Sequence, residues 1–190
     1  MSGHKFNYEK YKKLDSPERK KILPVDRILS ILDEEEEVNV ADIGCGTGYL
    51  SIPLAKRLGD EGRVYAIDIN SEMLSILEER AEGLKNIETI KSDENDIPIK
   101  SNIIDISFLI TVFHELKNPE RFIEEIVRIS KDKHRIGIID WTAKEREMGP
   151  PIERAIAAEK TVNFFEEAGY KLAEKVEVSD HFYGLVFERK

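Results

Sequence analysis

Cysteine is nearly absent from this sequence, and its basic residues are outnumbered by its acidic ones. The single cysteine, Cys45, excludes a disulfide within the chain and any zinc cluster built from cysteines. The 29 Lys and Arg residues stand against 38 Asp and Glu, a net charge of −9. That balance argues against a general nucleic-acid binder, because neutralising phosphates requires an excess of positive charge. The histidines are far apart and show no metal-ligand spacing, so we expect no bound metal: His4, His114, His134 and His181.

Long apolar runs are also missing. No stretch approaches the ~18 residues of a membrane span, and residues 1–24 lack the continuous apolar core of a signal peptide. The chain is nevertheless 41% hydrophobic, and its 190 residues fit one domain. We therefore expect a soluble, cytoplasmic protein with no membrane partner. Abundant Glu and Lys with one cysteine are also typical of heat-adapted, thermophile-like proteins.

Positive charge is concentrated at the start of the chain. Residues 1–24 carry seven Lys and Arg against three Asp and Glu, a net charge of +4, which leaves −13 on the rest. We interpret residues 1–24 as an N-terminal arm and residues 25–190 as a single domain. The arm either attracts an anionic substrate or is a plain solvated surface. Its aromatic residues Phe6, Tyr8 and Tyr11 either close over a cofactor as a lid or form an ordinary hydrophobic patch.

The spacing of apolar residues predicts helices that alternate with short buried strands. Predicted strands cover 38–43, 63–67, 87–90, 103–110 and 135–139. Two predicted helices cover 25–35 and 49–58, a third is N-capped by Ser71, and a fourth begins at Asn118-Pro119. A further helical region is predicted over 152–168 and stops at Gly169. Continuously apolar strands of this kind indicate a parallel sheet covered on both faces. The runs 171–178 and 182–188 are so close that they must form an antiparallel hairpin. We therefore predict an α/β fold, a Rossmann-like doubly wound sheet with five parallel strands plus a C-terminal antiparallel hairpin.

A glycine cluster lies between the first predicted strand and the next helix, in Asp42-Ile43-Gly44-Cys45-Gly46-Thr47-Gly48. Glycines allow a tight turn and close approach of backbone N–H groups to a ligand, and the following helix directs its positive end there. Asp68 ends the next strand, 20 residues after Gly48, where a carboxylate accepts both hydrogen bonds of a ribose diol. This order predicts a ribose-containing cofactor. The alternative is a set of turn glycines with a helix-capping Asp.

Tyr49 and Asp42 distinguish between two kinds of ribose-containing cofactor. The dinucleotide fingerprint has its third glycine where this sequence has Tyr49, and the Asp42 carboxylate would repel a pyrophosphate. The same carboxylate favours a ligand that carries an ammonium and a sulfonium. A nicotinamide-dependent oxidoreductase remains as a disfavoured alternative. A cofactor-binding module without catalysis remains as a third hypothesis.

Over roughly residues 38–141 the chain resembles the class I S-adenosylmethionine-dependent methyltransferases. An acid followed by Gly-x-Gly-x-Gly is the first motif of that family. The resemblance implies S-adenosylmethionine as cofactor, S-adenosylhomocysteine as product, and transfer of a methyl group by in-line displacement. The implied cofactor-binding residues are the first motif (Asp42, Gly44, Cys45, Gly46, Gly48), Asp68 at the ribose, Ile69 and Met73 by the adenine, Asp93 with Glu94 at the adenine amino group, and Thr111 near the sulfonium.

The start of the chain and the segment Gly149-Pro150-Pro151 are similar to a small-molecule subgroup that includes quinone and arsenite methyltransferases. In that family arsenite methylation requires several cysteine thiols, and Cys45 is alone, so we discount arsenic. The resemblance implies a small-molecule methyl acceptor. Neither the attacked atom nor the oligomeric state follows from the sequence.

His114 is the candidate general base for a nucleophile that arrives protonated. It follows the fourth strand at the edge where parallel sheets place ligands, and only histidine changes charge near neutral pH without a large shift. Glu115 either orients it or faces water, and the alternative is that His114 caps a helix or packs against the cofactor. Trp141, which follows Asp140 at the end of the fifth strand, forms either a wall of the substrate pocket or ordinary core.

Overall fold

A computed structural model describes residues 16–31, 38–145 and 149–190 of the chain. Its seven strands are β1 (Asn39–Ile43), β2 (Arg63–Asp68), β3 (Ile87–Lys91), β4 (Ile104–Ile110), β5 (Ser130–Trp141), β6 (Tyr170–Ser179) and β7 (Phe182–Arg189). They form one sheet in the order β3-β2-β1-β4-β5-β7-β6. Strands β1 to β5 are parallel, and β7 is antiparallel to both β5 and β6. The predicted fold class, five parallel strands followed by an antiparallel hairpin, is confirmed.

Helices cover both faces of this sheet. They are α1 (Pro17–Ile22), α2 (Val25–Leu29), α3 (Ser51–Leu58), α4 (Ser71–Arg80), α5 (Pro119–Ile129) and α6 (Ala158–Glu167). Buried residues of α2 and α3 pack on one face of the sheet, and those of α5 and α6 pack on the other. Helix α4 buries Leu74 and Leu77 against Ala66 of β2. The apolar stripes that predict the helices are the surfaces that meet the sheet.

Several elements differ from the predictions. Helix α1 lies within residues 1–24, the segment interpreted as an arm. Helix α2 ends at Leu29, whereas the predicted helix covers 25–35; residues 32–37 are outside the described ranges. Asn70, rather than Ser71, caps α4, because its side-chain oxygen accepts a hydrogen bond from the N–H of Glu72 at 2.9 Å. The predicted helical region over 152–168 is only a short 3₁₀ turn (Ile152–Arg154) followed by α6. Strand β5 begins at Ser130, five residues before the predicted start, because it follows α5 without a loop.

The order of the strands creates a crevice at one edge of the sheet. After β1 the chain builds β2 and β3 on one side, and then crosses to build β4 and β5 on the other. The connections leave β1 and β4 in opposite directions, and ligands of open α/β sheets bind outside the carboxyl ends of the strands at such a point. Within the described ranges, no helix is long and apolar enough to cross a membrane, and no three His, Cys, Asp or Glu side chains are grouped as metal ligands.

Candidate functional site

A cavity of about 570 Å³ opens at the carboxyl ends of β1, β2, β4 and β5. Its volume lies within the usual range for small-molecule and cofactor pockets. It brings together every residue predicted for the site except Gly48: Asp42, Gly44, Cys45, Gly46, Asp68, Ile69, Met73, Asp93, Glu94, Thr111 and His114. Sequence positions separated by up to 72 residues thus share one cavity.

The three glycines of the first loop differ in what surrounds them. All three have positive φ, +74° at Gly44, +53° at Gly46 and +86° at Gly48. A Cβ at Gly48 would lie 2.1 Å from Cδ1 of the buried Leu77, so this glycine is needed for packing. A Cβ at Gly46 would meet no protein atom within 4 Å, although Gly46 lines the cavity. Gly46 therefore keeps its backbone open to a ligand.

Asp68 is fixed by the loop that it faces. Its Oδ2 accepts a hydrogen bond from the Gly46 N–H at 2.8 Å, and its Oδ1 accepts one from the Asn70 N–H at 2.8 Å. Burial raises the pKa of this carboxyl, and the two backbone hydrogen bonds oppose that rise. Because a carboxylate has about four lone-pair positions, each oxygen keeps one for a further donor. Two such oxygens suit the two hydroxyls of a ribose.

Asp42 is a deeply buried acid at the end of β1. It is 2% exposed, and its Oδ2 accepts a hydrogen bond from the Ser51 hydroxyl at 2.5 Å. Burial, with a smaller effect of the neighbouring Asp68 charge, raises the pKa of Asp42 to about 7. Burial beside these two acids also raises the pKa of the Cys45 thiol, which makes it a poor nucleophile.

The opposite wall combines apolar and acidic side chains. Ile69 is 61% exposed although it is apolar, whereas Met73 is buried. The N–H of Asp93 donates to the carbonyl oxygen of Asp96 in a tight turn. Oε1 of Glu94 accepts hydrogen bonds from the backbone N–H groups of Lys117 at 2.7 Å and Asn118 at 3.3 Å. Glu94 therefore ties this turn to the start of α5.

Thr111 follows β4 in an uncommon conformation. Its φ is +59°, which side-chain-bearing residues rarely adopt, and its N–H donates to the carbonyl oxygen of Ile139 at 2.7 Å. Its hydroxyl oxygen accepts a hydrogen bond from Nη2 of Arg19 at 3.0 Å. Arg19 also lines the cavity. The sequence reasoning missed this contact because Arg19 belongs to α1, 92 residues before Thr111 in the chain.

His114 is paired with Asp140, not with Glu115. Nδ1 of His114 lies 2.6 Å from Oδ1 of Asp140, and the backbone N–H of His114 donates to Oδ2 at 3.0 Å. The His114 and Asp140 side chains are 4% and 1% exposed, whereas Glu115 is 74% exposed and its carboxylate lies 3.7 Å from Nε2. Of the two alternatives for Glu115, orienting the imidazole or facing water, its exposure favours the second, and Asp140 holds the imidazole instead. His114 follows β4 and Asp140 is near the end of β5, and these positions were the sequence signal that the two residues could be close together.

Trp141 is both core and cavity wall. It is 6% exposed, and its ring lies 4.2 Å from that of Phe182, at an interplanar angle of 41°. A Cβ at Gly149 would come within 2.9 Å of the indole, so a glycine is required for this segment to cover Trp141. Trp141, Gly149 and Pro150 all line the cavity beside Tyr49.

Comparison with known proteins identifies the family of this chain. A sequence profile described as a methyltransferase domain matches residues 34–184. The chain is 28% identical over 130 residues to the demethylmenaquinone methyltransferase of Staphylococcus carnosus, covering 68% of this chain and 51% of the relative. It is 26% identical over 103 residues to the 2-phytyl-1,4-naphtoquinone methyltransferase of Trichormus variabilis, covering 53% of this chain and 45% of that one. The chain thus spans about half the length of the curated relatives that it matches.

A solved structure matches over nearly the whole chain. It is a SAM-dependent methyltransferase from Aquifex aeolicus, superimposed with a TM-score of 0.90 at 37% identity. The match covers 98% of this chain and 100% of that one. The sequence profile and the solved structure indicate the same family. The cavity at the ends of β1 and β4 and the Asp68–Gly46 contact are consistent with it. The chain belongs to the class I S-adenosylmethionine-dependent methyltransferases.

Proposed function

We propose that this protein transfers a methyl group from S-adenosylmethionine to a small aromatic acceptor that carries a hydroxyl group. One observation carries the proposal. A single cavity joins Asp68 and Gly46, which suit a nucleoside, to the His114–Asp140 pair, which suits proton removal. The cofactor supplies an electrophilic methyl group on its sulfonium, so the protein has to bind, orient and desolvate the two reactants.

The cofactor half of the cavity is formed by residues 42–94 and Thr111. In this proposal the Asp68 carboxylate accepts hydrogen bonds from both ribose hydroxyls, while the open space at Gly46 allows the methionine moiety to approach the backbone closely. Asp42 faces the ammonium group. Ile69 and Met73 contact the adenine, whose amino group donates to Asp93. Gly44, Cys45 and Glu94 complete the wall, Gly48 maintains the packing of the loop, and Thr111 lies near the sulfonium.

His114 acts on the acceptor as a general base. The carboxylate of Asp140 accepts a hydrogen bond from Nδ1–H, which selects the tautomer whose Nε2 has a lone pair. Nε2 then takes the hydroxyl proton of the acceptor as its oxygen, or a ring carbon conjugated with it, becomes the nucleophile. Asp140 stabilises the imidazolium that forms.

The class of acceptor follows from the remaining wall. Trp141 presents an aromatic surface that Phe182 supports and that Gly149 and Pro150 border. A flat aromatic ring packs well on such a surface. The relatives named for demethylmenaquinone and phytylnaphthoquinone methylation act on molecules of this shape, which supports a quinol-like acceptor.

Calorimetric titration tests the cofactor part of the proposal. The purified chain is titrated with S-adenosylmethionine, S-adenosylhomocysteine and nicotinamide dinucleotides, alongside Asp68→Ala and the exposed control Asp60→Ala. We expect micromolar binding of the adenosyl-sulfur ligands, lost in Asp68→Ala and kept in Asp60→Ala. Binding of a dinucleotide alone would establish the oxidoreductase alternative instead.

Methyl transfer itself is tested with a panel of hydroquinones, naphthols and matched methyl ethers. Turnover of the hydroxylated compounds, with no reaction of the ethers, is the expected result. Tight cofactor binding without turnover of any acceptor would favour the non-catalytic module.

A further inference from the structure

Val112 lies directly against the first glycine loop, residues 44–48. Gly44 in that loop has a φ of +74°, and a Cβ added to it would lie 2.3 Å from Cγ2 of Val112. The Val112 side chain therefore fills the space that a side chain at position 44 would need. Gly44 follows β1, Val112 comes two residues after the end of β4, and these two strands are hydrogen-bonded neighbours. Two loops from distant parts of the chain are thus in contact.

The backbone of Thr111 directs Val112 to this position. Thr111 has a φ of +59°, which β-branched residues rarely adopt because the side chain crowds the backbone. Its N–H donates to the carbonyl oxygen of Ile139 at 2.7 Å, which fixes the turn to β5. Strained backbone persists only where the surroundings over-determine it, and such positions cluster at functional sites. The strained turn ends the extended course of β4, and the next residue lies over the glycine loop.

The turn that carries His114 begins at the same valine. Val112 is the N-cap of the 3₁₀ turn Phe113–Glu115, and its carbonyl oxygen accepts the hydrogen bond that closes this turn, at 2.9 Å. Phe113 is fully buried in the core. The turn is therefore held by the core on one side and by the contact of Val112 with the glycine loop on the other. A shift of Val112 moves His114 relative to Asp140, its partner at 2.6 Å.

We propose that Val112 is a positioning residue that transmits occupancy of the first glycine loop to the His114–Asp140 pair. This inference rests on the proposed function and states how the two halves of the cavity act on each other. A ligand packed on the backbone at Gly46 restricts the loop, and the loop restricts Val112 and the turn that follows it. The hydrogen bond between His114 and Asp140 therefore opens less often when the cofactor is bound.

Proton NMR measures the opening of this hydrogen bond without any acceptor. The two side chains of the pair are 4% and 1% exposed, so the Nδ1 proton of His114 exchanges with water when the hydrogen bond opens. Its resonance is assigned by its loss in His114→Gln. Exchange is measured in the natural chain, Val112→Ala and the control Val127→Ala, with and without saturating S-adenosylhomocysteine. Val127 is a matched control because both valines are half-buried and pack against the same hydrophobic cluster, whereas Val112 also lines the cavity.

The cofactor product should slow this exchange only where the valine is present. We expect S-adenosylhomocysteine to slow it at least about fivefold in the natural chain and in Val127→Ala, and less than about twofold in Val112→Ala. Its calorimetric Kd should agree within about twofold in all three proteins, because the open form is a minor population.

The contrary outcomes are distinguishable. Equal slowing in the natural chain and Val112→Ala, or none in either, would overturn the inference while the proposed cofactor site stands. Failure of the natural chain to bind S-adenosylhomocysteine would overturn the proposed function, and the inference with it.

Turnover separates positioning of His114 from direct contact of Val112 with a ligand. Two acceptors are compared: 1-naphthol, whose hydroxyl arrives protonated, and a nitronaphthol that is already ionised at the assay pH. We expect Val112→Ala to lower kcat for 1-naphthol about tenfold or more, since the base is misplaced. The nitronaphthol should change less than about twofold, because an ionised acceptor needs no base. Val112→Thr keeps the branched shape and should recover most of the loss. Equal losses for both acceptors would assign Val112 to ligand contact or packing alone, contrary to the inference.

Discussion

Asp140 accepts two hydrogen bonds from His114, one from the backbone N–H at 3.0 Å and one from Nδ1 at 2.6 Å. Because each oxygen of the Asp140 carboxylate accepts one of these hydrogen bonds, the Asp140 side chain has little rotational freedom. The arrangement orients the imidazole without a contribution from the exposed Glu115. In the proposed mechanism Asp140 is therefore a positioning residue, whose effect on the reaction passes through His114.

Replacing His114 should separate chemistry from binding. We expect His114→Ala to lower kcat about 10²- to 10⁴-fold, the usual contribution of a positioned general base. The Kd of S-adenosylhomocysteine should stay within about twofold, because the proposed cofactor contacts are on other residues. Unchanged turnover of a hydroxylated acceptor would remove His114 from the mechanism.

Replacing Asp140 should alter the pH dependence as well as the rate. Asp140→Asn removes the charge that stabilises the imidazolium, so kcat should fall at least about tenfold and the acidic limb of the pH–rate profile, where a general base becomes protonated, should move. Glu120→Gln is the control and should leave both unchanged, since Glu120 is an exposed acid of α5 outside the cavity. A rate loss in Asp140→Asn without a change in profile would indicate a purely structural role.

Two glycines of one loop should respond oppositely to the same substitution. Gly46→Ala adds a methyl group in open space, so it should abolish cofactor binding with a modest loss of stability, about 1 kcal/mol for the left-handed backbone. Gly48→Ala drives a methyl group into Leu77, so it should destabilise the fold by about 1–3 kcal/mol.

Calorimetric binding and chemical denaturation measure the two effects. Gly83→Ala is the control, because Gly83 also has positive φ and open space around it but lies outside the cavity. Normal cofactor affinity in Gly46→Ala would show that the ligand does not approach this backbone.

Asp42 should release a proton when the cofactor binds. The pKa of Asp42 is raised to about 7 in the free protein, so at pH 6 this group is mostly protonated. An ammonium beside it favours the ionised form, so binding should release up to about one proton at pH 6 and affinity should rise toward pH 7. Titrations at pH 6 in buffers of different ionisation enthalpy measure that proton. Asp42→Asn should eliminate it, whereas release that persists in the variant would assign it to another group.

His134 should make the fold sensitive to acid. It is fully buried between the hydroxyls of Ser107 and Tyr170, each at 2.9 Å, and burial lowers its pKa to about 3. A free histidine has a pKa near 6.5, so below that pH the unfolded chain binds a proton that the folded one does not. The stability contribution is complete above about pH 6.5 and falls by about 2 kcal/mol at pH 5.

Denaturant unfolding at pH 7 and pH 5 checks this sign. The stability of His134→Gln should decline less between the two pH values than that of the natural chain, and the exposed control His181→Gln should decline as much. Identical declines in all three proteins would assign the acid sensitivity elsewhere.

The parallel core was predictable because its signals are local. Each buried strand is a short apolar run, and the loop glycines and Asp68 follow two of those strands directly. The contacts of Arg19 with Thr111 and of Asp140 with His114 were not predicted, since each joins residues 26 or more positions apart. Only the docking of α1 and the pairing of β4 with β5 bring them to their partners.

The break at residues 155–157 in the predicted helical region over 152–168 has a packing cause. Ala155 packs against the cluster on one face of the sheet, and the next residue, Ile156, packs against the cluster on the other. Consecutive side chains that point in opposite directions require an extended backbone, which Ala155 and Ala157 adopt. The helical propensity of this alanine-rich stretch is therefore overridden by tertiary contacts.

Because β7 is antiparallel to β5, its first residue, and not its last, lies at the ligand-binding edge of the sheet. Phe182 therefore supports Trp141, and the preceding turn at Asp180-His181 accepts a hydrogen bond from the N–H of Thr142. Most of the half proposed for the nucleoside is encoded before residue 95, with Thr111 added from the end of β4, whereas Trp141, Gly149 and Pro150 come after residue 140. Substitutions after residue 140 should therefore alter the wall around Trp141 while the loops that carry Gly46 and Asp68 keep their structure.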